Sequence, residues 1–321
     1  IYQDGEQHSK QRALVSSGFT PRQMRKMEDR AREIVVDLVD KMLVKDEVEI
    51  VSDLAGALPA RLIADMLDIP QEKRKAVLGW INEITYGGCG PDYVTDEVND
   101  AFENFVMHHE EMYQDRMASG CKGSDLLTIW INAELNGEKL DESQLLFEHV
   151  LLNVGGAETT RSAIAGGLQQ LSEDPKQYDA LYEDPSLIPN ACEEIIRWVC
   201  PFVNMYRTAT RDFELHGKVI KEGQQVGLTY PAANRDPRKF KDPHKFNIFR
   251  DFSEEARHLS FGLGPHFCLG ASLARLELRL SLEEMTQRVK GIQQAPGKEL
   301  EYVSSSFTRG LKKFPAVLEP R

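Results

Sequence analysis

Apolar residues recur at helical spacing through most of the chain. A long stripe follows Thr20-Pro21, a pair typical of a helix start, and comprises Met24, Met27, Ala31, Ile34, Val35, Leu38 and Met42. The same spacing predicts four further helices, at 52–67 with Ser52 as its cap, 77–84, 98–117 and 141–171. The last is the longest and starts at Asp141 as its cap. The pattern therefore predicts a mainly α-helical protein.

Short β signals are concentrated in the second half. Strands are predicted at 48–50, 204–209, 213–215, 219–220 and 226–228, and the tail segments 302–307 and 311–318 predict a hairpin. Asn136-Gly137 is typical of a tight hairpin turn. We therefore expect one domain over residues 1–321, helical with a small β region.

Composition narrows the class of protein. The 39 basic and 51 acidic residues give a net charge of −12, which argues against broad nucleic-acid binding. Five cysteines without a C-x-x-C motif indicate a reduced, cytoplasmic protein. The most apolar stretch, 145–167, contains Glu148, His149, Glu158 and Arg161, so no transmembrane segment is predicted. The first residue is Ile1, which leaves a removed leader open.

The loop 261–270, with the sequence FGLGPHFCLG, contains three glycines around Cys268. Glycines suit a backbone that bends sharply and passes close to a flat group. Leucines at helical spacing follow, so Cys268 is predicted at a helix amino terminus, where its thiolate is favoured. Such a cysteine is a redox or catalytic nucleophile, a metal ligand, or a buried structural residue.

The loop matches Phe-Gly-x-Gly-x-His-x-Cys-x-Gly, starting at Phe261, and so resembles the haem-binding signature of the cytochrome P-450 superfamily. The resemblance implies the fold of that family, with haem b as cofactor and Cys268 as the axial ligand of its iron. A thiolate ligand favours cleavage of the O–O bond. His266 would meet a haem propionate.

Three other residues match propionate-binding positions of the family. His8 and Arg12 lie at i, i+4 on a short helix, where a solvated face is the alternative, and Arg207 lies in a predicted strand, where an ordinary edge residue is the alternative. Cations are needed there because the haem carboxylates would otherwise be unpaired. The family also has an amino-terminal segment before the first helix, which the resemblance implies is missing here.

The middle of the long helix reads Gly155-Gly156-Ala157-Glu158-Thr159. Each glycine costs a helix roughly 1 kcal/mol, so close packing or a local opening of the helix should explain the pair. The resemblance implies the second: an oxygen-binding groove, with Glu158 and Thr159 as the acid–alcohol pair. Thr159 would donate a hydrogen bond or hold a water molecule, and Glu158 would relay protons from solvent.

Three other motifs do not indicate chemistry. Glu194 and Arg197, with Arg250, resemble the family's buried ionic network. The break 87–91 would be a lid hinge or a plain loop. His108-His109-Glu110 does not indicate a metal site, because adjacent helical residues point in different directions.

The resemblance implies a monomeric monooxygenase that inserts one atom of O2 into an unactivated C–H bond of a hydrophobic substrate. No flavin or ferredoxin motif is present, so electrons from NAD(P)H would come through a ferredoxin and a ferredoxin reductase. Lys10, Arg12 and Arg275 would attract the acidic ferredoxin. The motifs are similar to those of soluble bacterial members that hydroxylate sterol side chains or branched lipids.

Two alternative functions stay open at this point. A peroxygenase of the same fold would take both oxygen and electrons from H2O2, and such enzymes usually replace the acid–alcohol pair. A haem-thiolate sensor or carrier would need Cys268 but would have no use for Glu158 and Thr159.

Overall fold

The fold was analysed in a computed structural model, which describes residues 3–87, 93–255 and 257–321. These residues form eleven α-helices. The helices are, in chain order, α1 Gly5–Val15, α2 Pro21–Leu43, α3 Ala57–Met66, α4 Arg74–Gly87, α5 Asp96–Ala118, α6 Leu126–Asn132, α7 Glu142–Glu173, α8 Pro175–Glu183, α9 Ile188–Val199, α10 Tyr230–Ala233 and α11 Ala271–Arg288. The predicted mainly α fold is confirmed.

Side-chain caps determine where several helices begin. Thr20 accepts a hydrogen bond from the backbone N–H of Gln23, with Pro21 as the first residue of α2. Asp141 and Gln144 form a complete capping box at α7, each side chain bonding the other's backbone N–H. These caps satisfy backbone donors that a helix start leaves unpaired. Both starts were predicted from the sequence.

Helix α7 is the central element of the helical layers. It packs against α3, α4, α9 and α11, and most of its second half is buried. Close approach to α9 depends on two glycines: a Cβ atom on Gly166 would lie 2.8 Å from Val199, and one on Gly167 would lie 2.8 Å from Ile195. The side chains of α9 therefore occupy the space where side chains of α7 would otherwise be.

The described strands form small antiparallel sheets. They are β1 Val48–Glu49, β2 Glu134–Leu135, β3 Glu138–Lys139, β4 Asn204–Thr208, β5 Phe213–Leu215, β6 Lys218–Ile220, β7 Gln225–Thr229, β8 Val289–Gln294, β9 Glu301–Tyr302, β10 Leu311–Lys313 and β11 Pro315–Pro320. One sheet has the order β1-β11-β8, and the others pair β2 with β3, β4 with β7, β5 with β6, and β9 with β10. The small β region is confirmed, and Asn136 and Gly137 have the positive φ angles, 55° and 82°, of a tight hairpin turn.

Two sequence predictions were wrong in detail. Ser52 does not cap a helix, because it lies inside a π-helical turn at Val51–Ala55 that leads into α3 through Gly56. The tail is not one long hairpin: Leu311–Lys313 pairs with β9, whereas Pro315–Pro320 pairs with β1 and β8. The tail divides at Phe314, whose side chain is buried, and the two parts join different sheets.

No helix among the described residues is long and apolar enough to cross a membrane. The break after α4 was interpreted as a hinge or loop, and its residues 88–91 lie outside the described part of the chain.

Candidate functional site

The loop before α11 positions Cys268 through backbone hydrogen bonds and two glycines with positive φ angles. The Cys268 N–H donates to the Phe261 carbonyl at 2.9 Å, and the Phe267 N–H donates to the Gly264 carbonyl at 3.0 Å. Gly262 and Gly264 have φ angles of 69° and 77°, which other residues adopt only with strain. The loop therefore needs its glycines to present the Cys268 side chain, which is half-buried.

The Cys268 thiol does not have the electrostatic environment that the sequence predicted. Burial raises its pKa, while a hydrogen bond from the Gly270 N–H and the fields of Arg12 and Arg275 oppose that rise. Helix α11 begins only at Ala271, with Gly270 as its cap residue. Cys268 thus precedes the first turn, and the helix end stabilises a thiolate less than burial disfavours it.

A cluster of cationic side chains surrounds the loop. The rings of His8 and His266 lie 4.0 Å apart, and His266 Nε2 lies 2.8 Å from Asp4 Oδ1. Burial lowers the pKa of His8, and the fields of His266 and Arg12 lower it further. The positive side chains are therefore close enough to repel one another, and Asp4 offsets part of this repulsion.

Two arginines complete this cluster. Arg12 Nη2 donates to the Phe267 carbonyl, next to Cys268, at 2.6 Å. Arg207 in β4 is exposed, donates to the Tyr206 carbonyl at 2.8 Å, and contributes to the lowered pKa of Asp4. The structure thus brings His8, Arg12, Arg207 and His266 to the loop from three distant parts of the chain.

These residues fit haem. Four basic side chains with one exposed acidic neighbour suit a ligand that carries carboxylates. Phe267 and Leu263 of the loop are exposed, Leu263 by 79%, and a Cβ atom on Gly155 of α7 would meet nothing within 4 Å. A half-buried sulfur beside apolar and cationic groups is the donor set for a flat, anionic cofactor whose iron takes a thiolate.

Helix α7 carries the predicted acid and alcohol on its central turns. The Thr159 hydroxyl donates to the Gly155 carbonyl at 2.7 Å, although the helix continues without a break. Glu158 is mostly buried and accepts a hydrogen bond from Arg161. Burial raises the pKa of Glu158, and the Arg161 field and hydrogen bond oppose the rise. The carboxyl is thus held closer to neutrality than an exposed one.

Glu194, Arg197 and Arg250 form one buried ionic network. Arg197 donates to both Glu194 oxygens at 2.7 and 2.8 Å, and Arg250 Nε donates to Glu194 Oε2 at 3.0 Å. Arg197 also donates to the carbonyls of Asn234, Pro243 and Lys245. The network links α9 to the segment that precedes the loop, and no member is among the groups clustered at Cys268.

Sequence reasoning missed Glu193, the ion-pair partner of Arg275. Arg275 makes two hydrogen bonds to Glu193, at 2.6 and 2.9 Å, and stacks 4.6 Å from the Phe261 ring centroid. Although burial acts to raise the pKa of Glu193, hydrogen bonds from Arg275 and His258 bring it to about 2. Arg275 therefore fastens the loop to α9. Glu194, which follows Glu193 in the sequence, matched a motif, whereas no local pattern identified Glu193 as an ion-pair partner.

The predicted basic landing surface is largely neutralised. Lys10 pairs with Glu6 and Glu138, at 3.3 and 3.1 Å, and Arg275 pairs with Glu193. Paired charges project a weaker field than free ones. Of the three cations that were predicted to attract a ferredoxin, Arg12 alone has no ion pair among the described residues.

The histidines of α5 have a partner that helical spacing could not reveal. His109 Nδ1 lies 2.9 Å from His149 Nδ1 of α7, and all three of His108, His109 and His149 are buried. In the described ranges, no group of three or more His, Cys, Asp or Glu side chains has the geometry to hold a metal ion.

Known proteins match this chain over nearly its whole length. A model of the cytochrome P-450 family matches residues 91–301. The chain is 34% identical to the steroid C26-monooxygenase of Mycolicibacterium smegmatis, over 100% of the chain and 79% of that protein. It is 36% identical to the methyl-branched lipid omega-hydroxylase of Mycobacterium bovis, over 98% of the chain and 73% of that protein.

Solved structures also match. The chain superposes on CYP109E1 from Bacillus megaterium, in complex with testosterone, with a TM-score of 0.90 at 29% identity, over 98% of the chain and 85% of that structure. The family match includes both the loop that carries Cys268 and the middle of α7.

Proposed function

The chain belongs to the cytochrome P-450 family of monooxygenases, and on this premise we propose that it hydroxylates an unactivated C–H bond of a sterol or a methyl-branched lipid. The oxidant is O2, and two electrons reach the enzyme from NAD(P)H through a separate ferredoxin and its reductase. The observation that carries the proposal is the convergence of Cys268, His8, Arg12, Arg207 and His266 around one loop.

Haem would be held by two kinds of contact. Cys268 would supply the sulfur ligand of the iron, and the four basic side chains would pair with the two propionates. The exposed apolar side chain of Phe267 and the open space beside Gly155 would contact the macrocycle. When bound, haem supplies the iron at which O2 is reduced and its O–O bond is cleaved.

Helix α7 supplies protons through Thr159 and Glu158. Thr159 Oγ1 donates its one proton to the Gly155 carbonyl and can hold a water molecule by accepting a hydrogen bond from it. The Glu158 carboxyl gives up a proton and regains one from solvent. The raised pKa of Glu158 suits this role, because burial makes the carboxyl hold its proton more tightly than an exposed one and so favours the form that can donate.

The substrate class is supported by the relatives and by an aromatic pair near α7. The turn before Gly310 packs on α7, since a Cβ atom on Gly310 would lie 2.2 Å from Ser162 Oγ. In that turn the Phe307 ring lies 4.9 Å from the Phe202 ring. An aromatic pair beside α7 suits a bulky hydrophobic substrate.

The remaining expectations stay predictions: a single haem-thiolate domain, a cytoplasmic location and a monomer. The partly neutralised surface changes what we expect of the ferredoxin contact. Because Arg12 and Phe267 are assigned to haem, ferredoxin binding should depend on the exposed apolar residue Leu263 more than on Lys10 or Arg275.

The first test is the absorption spectrum of the reduced, CO-bound holoprotein. We expect a strongly red-shifted Soret band that Cys268→His abolishes, while the half-buried Cys121→Ser control keeps it. Cholestenone and phytanic acid are then added with a ferredoxin, its reductase and NADPH, and we expect a hydroxylated product. A haem without the red-shifted band would overturn the assignment of Cys268. Product from H2O2 alone, with none from the ferredoxin system, would favour the peroxygenase.

A further inference from the structure

Glu158 has one charged neighbour, and that neighbour lies on its own helix. Arg161 follows at i+3 on α7, and its Nη2 donates to Glu158 Oε1. The Glu158 side chain is 11% exposed and that of Arg161 is 23% exposed. The ion pair is therefore shielded from much of the solvent, with the carboxylate the more buried of the two groups.

The position of Arg161 is determined by packing as well as by charge. Its aliphatic stem lies against Gly56, the residue before α3, where an added Cβ atom would be 3.2 Å from Arg161 Cδ. Its Nε atom is buried and has no hydrogen-bond partner among the described residues. A guanidinium held in this way can make few other contacts, so its bond to Glu158 is its main polar interaction.

Most charged groups near α7 on α3, α9 and α11 have ion-pair partners of their own, and the buried Glu277 of α11 is not among the groups that act on the Glu158 carboxyl. On α3 and the preceding turn, Arg61 pairs with Asp37, Asp65 pairs with Arg30 and Arg74, and Asp53 pairs with Lys45. On α9 and α11, the ionic partners are Glu194 with Arg197, Glu193 with Arg275, and Arg279 with Glu28 and Glu283. Within the described chain, Arg161 is the charged group that acts on the Glu158 carboxyl.

The carboxylate is also held at one oxygen only. The hydrogen bond from Arg161 goes to Oε1, and no bond to Oε2 is found within the described chain. A carboxyl that is oriented through one oxygen keeps the other free to exchange a proton with water.

We propose that Arg161 is a positioning residue for proton delivery: it orients Glu158 through Oε1 and sets the pH at which this carboxyl releases its proton. The inference rests on the proposed function for its catalytic consequence, but the pairing itself can be tested without turnover. Arg161 does not donate the proton, since a guanidinium stays charged. Glu158 loses one proton to the active site and regains one from water, and Arg161 stabilises the ionised form in between.

The pairing is tested by infrared difference spectroscopy of the substrate-free holoprotein during a pH titration. The carboxyl C=O stretching band that Glu158→Gln removes reports Glu158. In Arg161→Gln this band should titrate at a pH about one unit higher or more, because an opposite charge at hydrogen-bond distance has been removed. Arg161→Lys, which keeps the charge, should restore most of the wild-type midpoint. An unchanged midpoint in Arg161→Gln would overturn the proposal.

The consequence for catalysis is tested by product formed per NADPH consumed. Arg161→Gln should lower this ratio toward that of Glu158→Gln and move its pH dependence in the same direction as the infrared midpoint. In a Glu158→Gln background, Arg161→Gln should have no further effect. Additive losses would mean that Arg161 acts by another route, and a shifted midpoint with normal coupling would also refute the positioning role.

Arg30→Gln is the control, because Arg30 also bonds a glutamate at i+3, Glu33, but on the exposed face of α2, and its second partner, Asp65, does not contact Glu158. It should leave both the infrared band and the coupling ratio unchanged. If the wild-type enzyme made no product with either substrate and the ferredoxin system, the proposed function would fail. The infrared titration would then still decide whether Arg161 controls Glu158.

Discussion

The buried histidines between α5 and α7 predict an unusual sensitivity to mild acid. His109 and His149 share a hydrogen bond of 2.9 Å between their Nδ1 atoms. The Phe105 ring lies 4.8 Å from that of His149. The Nε2 atoms of both histidines are buried without partners in the described structure. Both rings are therefore uncharged in the folded protein, because a buried imidazolium would lack compensation.

The size of the effect follows from the pKa of His109. Burial, with smaller contributions from His108 and Arg116, lowers it from 6.5 to about 4. Between these values the unfolded chain binds more protons than the folded one, so stability is lost as pH falls below about 6.5. The full shift corresponds to about 3 kcal/mol, of which about 1.3 kcal/mol is lost between about pH 7.5 and about pH 5.5. The pKa of His149 is lowered well below its usual range, which adds in the same direction.

The assay is equilibrium urea unfolding of the holoprotein at those two pH values, followed by far-UV circular dichroism. His109→Gln should reduce the loss of stability on acidification by about 1.3 kcal/mol relative to wild type, whatever its effect at neutral pH. His244→Gln, in an exposed loop, is the control and should behave as wild type. The reasoning would be refuted if all three proteins lost the same stability between the two pH values.

Three further predictions concern other buried groups. Glu194→Gln should destabilise the protein by about 3–5 kcal/mol and lower its haem content, because two buried guanidinium groups lose their shared counter-charge. An equal free energy of unfolding for this variant and the exposed Glu254→Gln control would contradict the network's role. Glu277 is 2% exposed, and burial raises its pKa well above the usual range, so the unfolded chain ionises first as pH rises. Glu277→Gln should therefore gain stability over wild type from about pH 5 to about pH 7 in urea unfolding, and a constant difference would show that Glu277 is not buried as an uncompensated acid. Thr159→Ala should release peroxide in place of product. Thr286→Ala, which removes an equivalent hydroxyl-to-carbonyl hydrogen bond of 2.7 Å in α11, should not. An equal yield of product per NADPH in both variants would exclude Thr159 from proton delivery.

Much of the fold could be predicted because its signals are local. Thr20-Pro21 and Asp141 with Gln144 each act on backbone groups within a few residues, so the starts of α2 and α7 follow from short stretches of sequence. The turns at Asn136-Gly137 and His216-Gly217 adopt positive φ angles for the same local reason. The prediction at Ser52 was wrong because a helical turn already starts at Val51, directly after β1. Packing of this turn against α7 favours it over an extended residue that would cap a new helix.

The candidate site also has a part that local sequence predicts and a part that only the fold reveals. The cysteine loop could be identified from ten consecutive residues, since its glycines and its cysteine serve one compact geometry. Its surroundings could not: Asp4 bonds His266 across 262 positions, and Glu193 bonds Arg275 across 82. From the sequence, Arg275 and Lys10 were expected to be unpaired cations, whereas in the folded protein both side chains form ion pairs with carboxylates.

The sequence by itself determined which segments become helices, where Cys268 lies, and which residues could pair with a cofactor. The tertiary structure alone decided their chemical state: that Arg161 acts on Glu158, that burial outweighs the helix end at Cys268, and that His109 meets His149. The physical reason is that helix caps and turns depend on neighbours along the chain. Desolvation and ion pairing instead depend on which distant groups share a low-dielectric space.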